Sequence, residues 1–135
     1  MKLEIRQAGG WTARNESYIR RALATASIDD IKRQVEEGAQ LFEVLDGAGE
    51  CVAAFVLRVD RLACRNVGVV VAAGGGLDGV DLTATIMPNI ERMFYGCDAI
   101  AVHTERPGLL RKLARQGYRT AEIILEKEVG NHGTL

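Results

Sequence analysis

The stretch VVVAAGGGLDGVDLT, residues 69–83, constrains the fold more than any other part of this 135-residue chain. Its valines favour a buried strand, three consecutive glycines end that strand, and an apolar helical pattern follows. A strand that turns through glycines into a helix is the usual frame of a phosphate-binding turn, because glycines let backbone amides approach a ligand and a helix N-terminus favours anions. A tight connection that binds nothing would have the same pattern.

Hydrophobic periodicity divides the chain into short strands and helices. The predicted strands are 2–7, 40–46, 51–60, 63–73, 98–104 and 118–129, and the predicted helices are 12–26, 27–38, 79–96 and 105–117. Short turns join the second, third and fourth strands, which predicts antiparallel hairpins, whereas the helix between the fourth and fifth strands predicts a parallel crossover.

This order, β-α-α-β-β-β-α-β-α-β, predicts an α+β (mixed α/β) domain. We expect a single central mixed sheet of about six strands with helices on both faces. The domain is predicted to span 1–130 and to be followed by a loose tail at 131–135. Ser27, with Asp30 three residues later, has the pattern of a helix N-cap.

Composition limits the partners of such a domain. The chain has seventeen Lys and Arg residues and eighteen Asp and Glu residues, and this balance of charge argues against a nucleic-acid partner. Three scattered cysteines give neither a disulfide framework nor metal-ligand spacing, so we expect no metal and a reducing, cytoplasmic compartment. No apolar run is long enough for a membrane span.

The glycines match two nucleotide-binding motifs only in part. No G-K-[ST] follows them, so the turn is not a P-loop. Gly74, Gly76 and Gly79 fit G-x-G-x-x-G, but a dinucleotide-binding domain carries that motif after its first strand, whereas here it follows the fourth.

The element order and two short motifs resemble the GNAT (general N-acetyltransferase) superfamily. In that family the fourth strand runs into a loop of pattern [Q/R]-x-x-G-x-[G/A], and VAAGGG (71–76) lies over it with Val71 in the Gln/Arg position. The family's later strand and helix ending in Gly-Phe or Gly-Tyr correspond to DAIAVHT and GLLRKLARQGYR. The chain resembles a small divergent member, of a kind known among bacteriophage-encoded proteins.

The resemblance implies that acetyl-CoA, as co-substrate, lies between the fourth and fifth strands and that an amine is acylated. It implies strand contacts to the pantetheine arm and turn amides on the pyrophosphate. The cofactor-binding residues implied in this way are Val69, Val70, Val71, Gly74, Gly75, Gly76, Leu77 and Asp78.

The chain departs from the family at its catalytic positions. The tyrosine that often serves as general acid, four residues before the Gly of the Gly-Phe motif, corresponds to Leu113, and the fourth strand has no Glu to serve as base. Two functions therefore stay open: an acyl-CoA-dependent N-acyltransferase, or a non-catalytic GNAT-like structural or protein-binding module. The family usually has a further strand after 118–129, so a homodimer that pairs through this last strand is also expected.

Several polar residues have a functional and a structural interpretation. His103 is the titratable residue best placed for a general base, or it is a structural histidine at a strand end. Carboxylates of the early strands line an amine-binding groove or simply face solvent; they are Glu43, Asp46 and Asp60. A basic cluster in and just after the last helix touches the 3′-phosphate of CoA or a nucleic acid, or is only solvated; its members are Arg111, Lys112, Arg115 and Arg119.

Overall fold

The computed structural model describes residues 2–23, 26–77, 79–104 and 106–130. Within these ranges the chain builds one mixed sheet of five strands, in which neighbours in sequence are neighbours in space. The strands are β1 (Glu4–Gln7), β2 (Gln40–Leu45), β3 (Cys51–Arg61), β4 (Asn66–Gly75) and β5 (Ala99–Val102). The first four are antiparallel and β5 is parallel to β4, which confirms the predicted hairpins and crossover.

The helices of the described ranges are α1 (Ala13–Ala22), α2 (Ile28–Glu36), α3 (Leu82–Met93) and α4 (Pro107–Ala114). The Ser27 hydroxyl accepts a hydrogen bond from the Asp30 amide at 3.2 Å, so the predicted N-cap of α2 is confirmed. Pro107 opens α4, where its missing N–H costs no helical hydrogen bond. None of these helices is long and apolar enough to cross a bilayer.

Both faces of the sheet are buried, which explains the long apolar runs in its central strands. Phe42 and Val44 of β2 belong to one core cluster, and Leu41 and Leu45 alternate with them into the other. The first cluster is covered by α3 and α4 through Ile86, Met87, Ile90 and Leu113; the second is covered by α1 and α2 through Tyr18, Ile19, Ile28 and Ile31.

The predicted sixth strand is wrong. Residues 118–130 form no strand, and the side chains of Ile123 and Leu125 are 78% and 91% exposed. The alternating, β-branched sequence has the local propensity of a strand, but a strand also needs a neighbouring edge for its backbone hydrogen bonds. The sheet therefore ends at β5, and the predicted tail at 131–135 lies outside the described residues.

Gly74 lets α1 lie directly on β4. A Cβ atom at this position would stand 2.1 Å from the carbonyl oxygen of Tyr18, which is helix backbone and cannot rotate away. A Cβ at Gly76, in contrast, would meet nothing within 4 Å. The first of these glycines is therefore required by helix packing, and the second is not.

We expect Gly74→Ala to lower the free energy of unfolding by about 1–3 kcal/mol or more, because the added methyl must push α1 off the sheet. Gly76→Ala is the matched control and should change it by less than about 1 kcal/mol. Urea unfolding followed by circular dichroism measures both values. Equal stability of the two variants would contradict this account of Gly74.

Candidate functional site

A β-bulge in β4 marks the point at which its pairing with β5 ends. Ala72 lies opposite Val56 of β3 and Val70 lies opposite Leu57, so Val71 is an extra residue without a partner in the register. Bulges bend a strand and increase its twist. Pairing with β5 ends at Val70, whereas β4 continues along β3 as far as Gly75. A cleft therefore opens between the two parallel strands beyond Val70.

The cleft leads into a cavity of about 470 Å³ between the sheet, α3 and α4. Its inner wall is apolar and is lined by core side chains, among them Phe55, Val70, Met87, Ile90, Val102 and Leu113. Its rim is polar: the glycine turn contributes backbone, and Thr83, Arg106 and Lys112 contribute side chains. An apolar cavity with a few polar groups at its rim is the usual form of a small-molecule site.

The predicted cofactor residues fall into two groups. Val69 and Val70 are buried in β4 and pair with β5, and Val71 is the bulge residue next to them. These three residues lie where the cleft begins. Their assignment to a pantetheine arm stays a prediction.

The second group forms the rim of the cavity. Gly74, Gly75, Gly76 and Leu77 all line it, whereas Asp78 lies outside the described residues. Gly74 and Gly75 are still strand residues opposite β3. The Gly76 amide donates to the Val52 carbonyl at 3.0 Å, so this amide already has a partner. The turn is therefore an extension of the sheet for part of its length.

The N-terminus of α3 is capped by an acidic side chain of the protein, that of Asp81. The Asp81 carboxylate accepts a hydrogen bond from the Ala84 amide at 3.2 Å, and Lys112 of α4 approaches the same carboxylate at 3.5 Å. The amide hydrogen bond, helped by the Lys112 charge, lowers the pKa of Asp81. A ligand anion at this helix end would share the site with a carboxylate.

Arg106, which the sequence interpretation did not include, bridges the rim. Its Nη2 donates to the Ala73 carbonyl oxygen of β4 at 3.0 Å, although the two residues are 33 positions apart. The sequence signal was Pro107, because a proline in the first turn of a helix makes the preceding residue the N-cap. That position brings Arg106 to the end of the helix nearest the cleft.

His103 lies at the carboxyl end of β5, and its side chain is exposed. Its backbone amide donates to the carbonyl of Val70, the residue just before the bulge, at 3.3 Å. His103 is therefore at the edge of the cleft but not among the residues that line the cavity. Its assignment as a general base stays a prediction.

Neither Leu113, which stands at the position of the family's tyrosine, nor the nearby Tyr118 is free to act as a general acid. Leu113 is 4% exposed and packs in the core. The Tyr118 hydroxyl donates to Glu91 at 2.7 Å, and burial together with this bond raises the pKa of Tyr118 well above its ordinary value. A tyrosine held in this way is a weak proton donor for a departing thiolate.

The carboxylates of the early strands do not line a common groove. Glu43 is buried and bonded to Arg6 at 3.2 Å and to Asn15 at 3.1 Å. Asp46 accepts from two backbone amides of the following turn, and Asp60 pairs with Arg58 of its own strand. Each of the three carboxylates is therefore bonded to its own protein partners, and the three do not converge on one groove.

Comparison with solved structures identifies proteins with a similar fold. A Pyrococcus furiosus protein assigned as an acetyl transferase superimposes with a TM-score of 0.67 at 13% identity, covering 95% of this chain and all of the other. The aminoglycoside N-acetyltransferase AAC(6')-Iy, in complex with CoA, gives a TM-score of 0.62 at 12% identity and coverages of 94% and 95%. A GNAT family acetyltransferase from Staphylococcus aureus gives 0.57 at 11% identity, covering 96% of this chain and all of the other.

The likeness lies in the structure and not in the sequence. No protein-family model matches the chain, and no curated protein is significantly similar to it in sequence. Identities of this size establish only the shared architecture. The chain has the fold of the GNAT acetyltransferases.

Proposed function

We propose that the protein is an acyl-CoA-dependent N-acyltransferase that transfers an acetyl group from acetyl-CoA to an amine. The observation that carries the proposal is the cleft that the bulge at Val71 opens between β4 and β5, with an apolar cavity below it and the glycine turn at its rim. The neighbour AAC(6')-Iy, with the same fold, is a CoA complex. The two observations support the same ligand class.

The shape of the cleft suits the parts of an acyl-CoA. Pantetheine is an extended chain with amide groups, which can pair with the edge of β4 from Val71 onward, where β5 no longer does. The pyrophosphate would lie at the turn formed by Gly74, Gly75, Gly76, Leu77 and Asp78. The Gly76 amide is already donated to Val52, so we assign the phosphate contacts to the other amides of the turn.

The chemistry requires one proton acceptor near the cleft. The amine nitrogen bonds to the thioester carbonyl carbon, the carbon–sulfur bond breaks, and the CoA thiolate takes up a proton. We propose that His103, exposed at the edge of the cleft, accepts the proton from the amine.

Acetyl-CoA should stabilise the protein against unfolding. A ligand at 100 times its Kd adds about 2.7 kcal/mol to the free energy of unfolding, so melting temperature should rise with acetyl-CoA concentration. Differential scanning fluorimetry with millimolar acetyl-CoA measures the shift, and adenosine without pantetheine is the control. An unchanged melting temperature would contradict the proposal.

A second candidate function is a non-catalytic module with the same fold. It is favoured because no acid or base is free near the family's catalytic positions: Leu113, at the position of the family's tyrosine, is core, Tyr118 is bonded to Glu91, and Glu43 is bonded to Arg6. A protein that binds acyl-CoA, or a protein partner, without turnover would need none of these groups free.

Turnover separates the two candidates. Release of free thiol from acetyl-CoA in the presence of a panel of amines should be detectable for the enzyme. His103→Ala should lower this rate about 100-fold or more, with acetyl-CoA affinity unchanged, because a general base contributes about 10²- to 10⁴-fold. Acetyl-CoA binding without turnover on any amine would favour the non-catalytic module instead.

The chain has three free thiols. Cys51 is buried, Cys64 is exposed and Cys97 is partly buried. An exposed free thiol suits a reducing compartment, so we propose that the protein works in the cytoplasm.

We also propose a homodimer that pairs through residues 118–129. This segment leaves apolar side chains exposed, namely Ile123, Ile124, Leu125 and Val129, while β5 is the last strand of the sheet. An edge strand and an unpaired strand-like segment are complementary, and a second copy can supply each to the other. The occupant we assign to this surface is therefore another copy of the chain.

Light scattering should give the mass of a dimer for the unmodified protein. Ile123 and Leu125 lie two residues apart and would share one face of a strand, so replacing both by Lys should yield a monomer. Glu126→Lys, in the same exposed segment, is the control and should stay dimeric. A monomeric unmodified protein would contradict the proposal.

A further inference from the structure

The glycine turn itself provides no positive side chain for a phosphate. Residues 71–81 contain neither Lys nor Arg, and Val71 occupies the motif position where the resemblance expects Gln or Arg. Asp81 adds a carboxylate at the start of α3. A pyrophosphate at this turn therefore needs a cation from another element of the fold.

Helix α4 brings two cations to the rim of the same cavity. Lys112 is 3.5 Å from the Asp81 carboxylate and therefore offsets a charge that is already present. Arg106 forms no ion pair with any carboxylate of the described residues. Among the described residues that line the cavity, Arg106 is accordingly the cation that is not paired with a carboxylate.

The hydrogen bond to Ala73 holds the Arg106 guanidinium next to the glycine turn. Ala73 is the residue immediately before Gly74, and its carbonyl oxygen accepts from Nη2 at 3.0 Å. A guanidinium carries five N–H donors in a planar fork that fits two phosphate oxygens at once. One donor is used on β4, and the exposed remainder of the fork is available at the mouth of the cavity.

We infer that Arg106 is the phosphate-binding residue of the cleft and recognises the pyrophosphate of the acyl carrier from the α4 side. The inference rests on the proposed function, since it assigns a residue to the phosphates of the proposed ligand. It assigns the recognition of the phosphate charge to Arg106, the N-cap residue immediately before α4, and not to the turn. In this arrangement the turn contributes backbone amides and lets the ligand approach closely, and the Arg106 guanidinium contributes the positive charge.

The test compares a ligand that has the phosphates with one that lacks them. Isothermal titration gives the affinities of CoA and pantetheine for the unmodified protein and for Arg106→Ala. We expect the variant to bind CoA about 10- to 100-fold more weakly, the range for a lost hydrogen bond to a charged group, with pantetheine affinity unchanged within about twofold. Arg106→Lys keeps the charge but loses the fork and should fall between the two.

Arg65→Ala removes an exposed arginine before β4, at the end of the strand away from the turn, and should leave both affinities unchanged. Equal loss of CoA and pantetheine binding in Arg106→Ala would overturn the inference, because Arg106 would then only shape the cleft. Unchanged CoA affinity would overturn it as well, with the proposed function intact. Failure of the unmodified protein to bind either ligand would overturn the proposed function and this inference together.

Discussion

The bulge at Val71 is the feature on which the candidate site depends. One extra residue in β4 bends the strand, so β5 can follow it only from Val67 to Val70. Two parallel strands that stayed paired to their ends would leave no edge for a ligand. Because β4 continues along β3 to Gly75, the cleft has one rigid wall, and α3 and α4 close the space beneath it.

The glycines after the bulge have different structural roles. Gly74 is where the Tyr18 carbonyl of α1 meets β4, so its missing side chain serves helix packing. Gly76 has open space around it and donates its amide to Val52. A run of glycines that resembles one motif therefore combines a packing requirement with a turn at the rim of a cavity. We assign the positive charge that a ligand would meet to Arg106, the N-cap residue of α4.

Patterns in adjacent residues of the sequence were sufficient to predict most of the fold. Hairpin turns, the helix between β4 and β5, the Ser27 cap and Pro107 are each read from a few adjacent residues, and the structure has all of them. The predicted strand at 118–129 failed because a strand depends on an edge supplied by distant residues or another chain. The Arg106–Ala73 contact joins residues 33 positions apart, and such pairing cannot be read from either local sequence.

The central claim is that the cleft beside β4 holds the acyl carrier. A crystal structure of the protein soaked with CoA tests it directly. The account predicts pantetheine between β4 and β5, with the pyrophosphate within hydrogen-bond distance of the glycine turn and of the Arg106 guanidinium. CoA bound elsewhere on the protein, or a cleft filled by residues 118–130 of the chain, would contradict it.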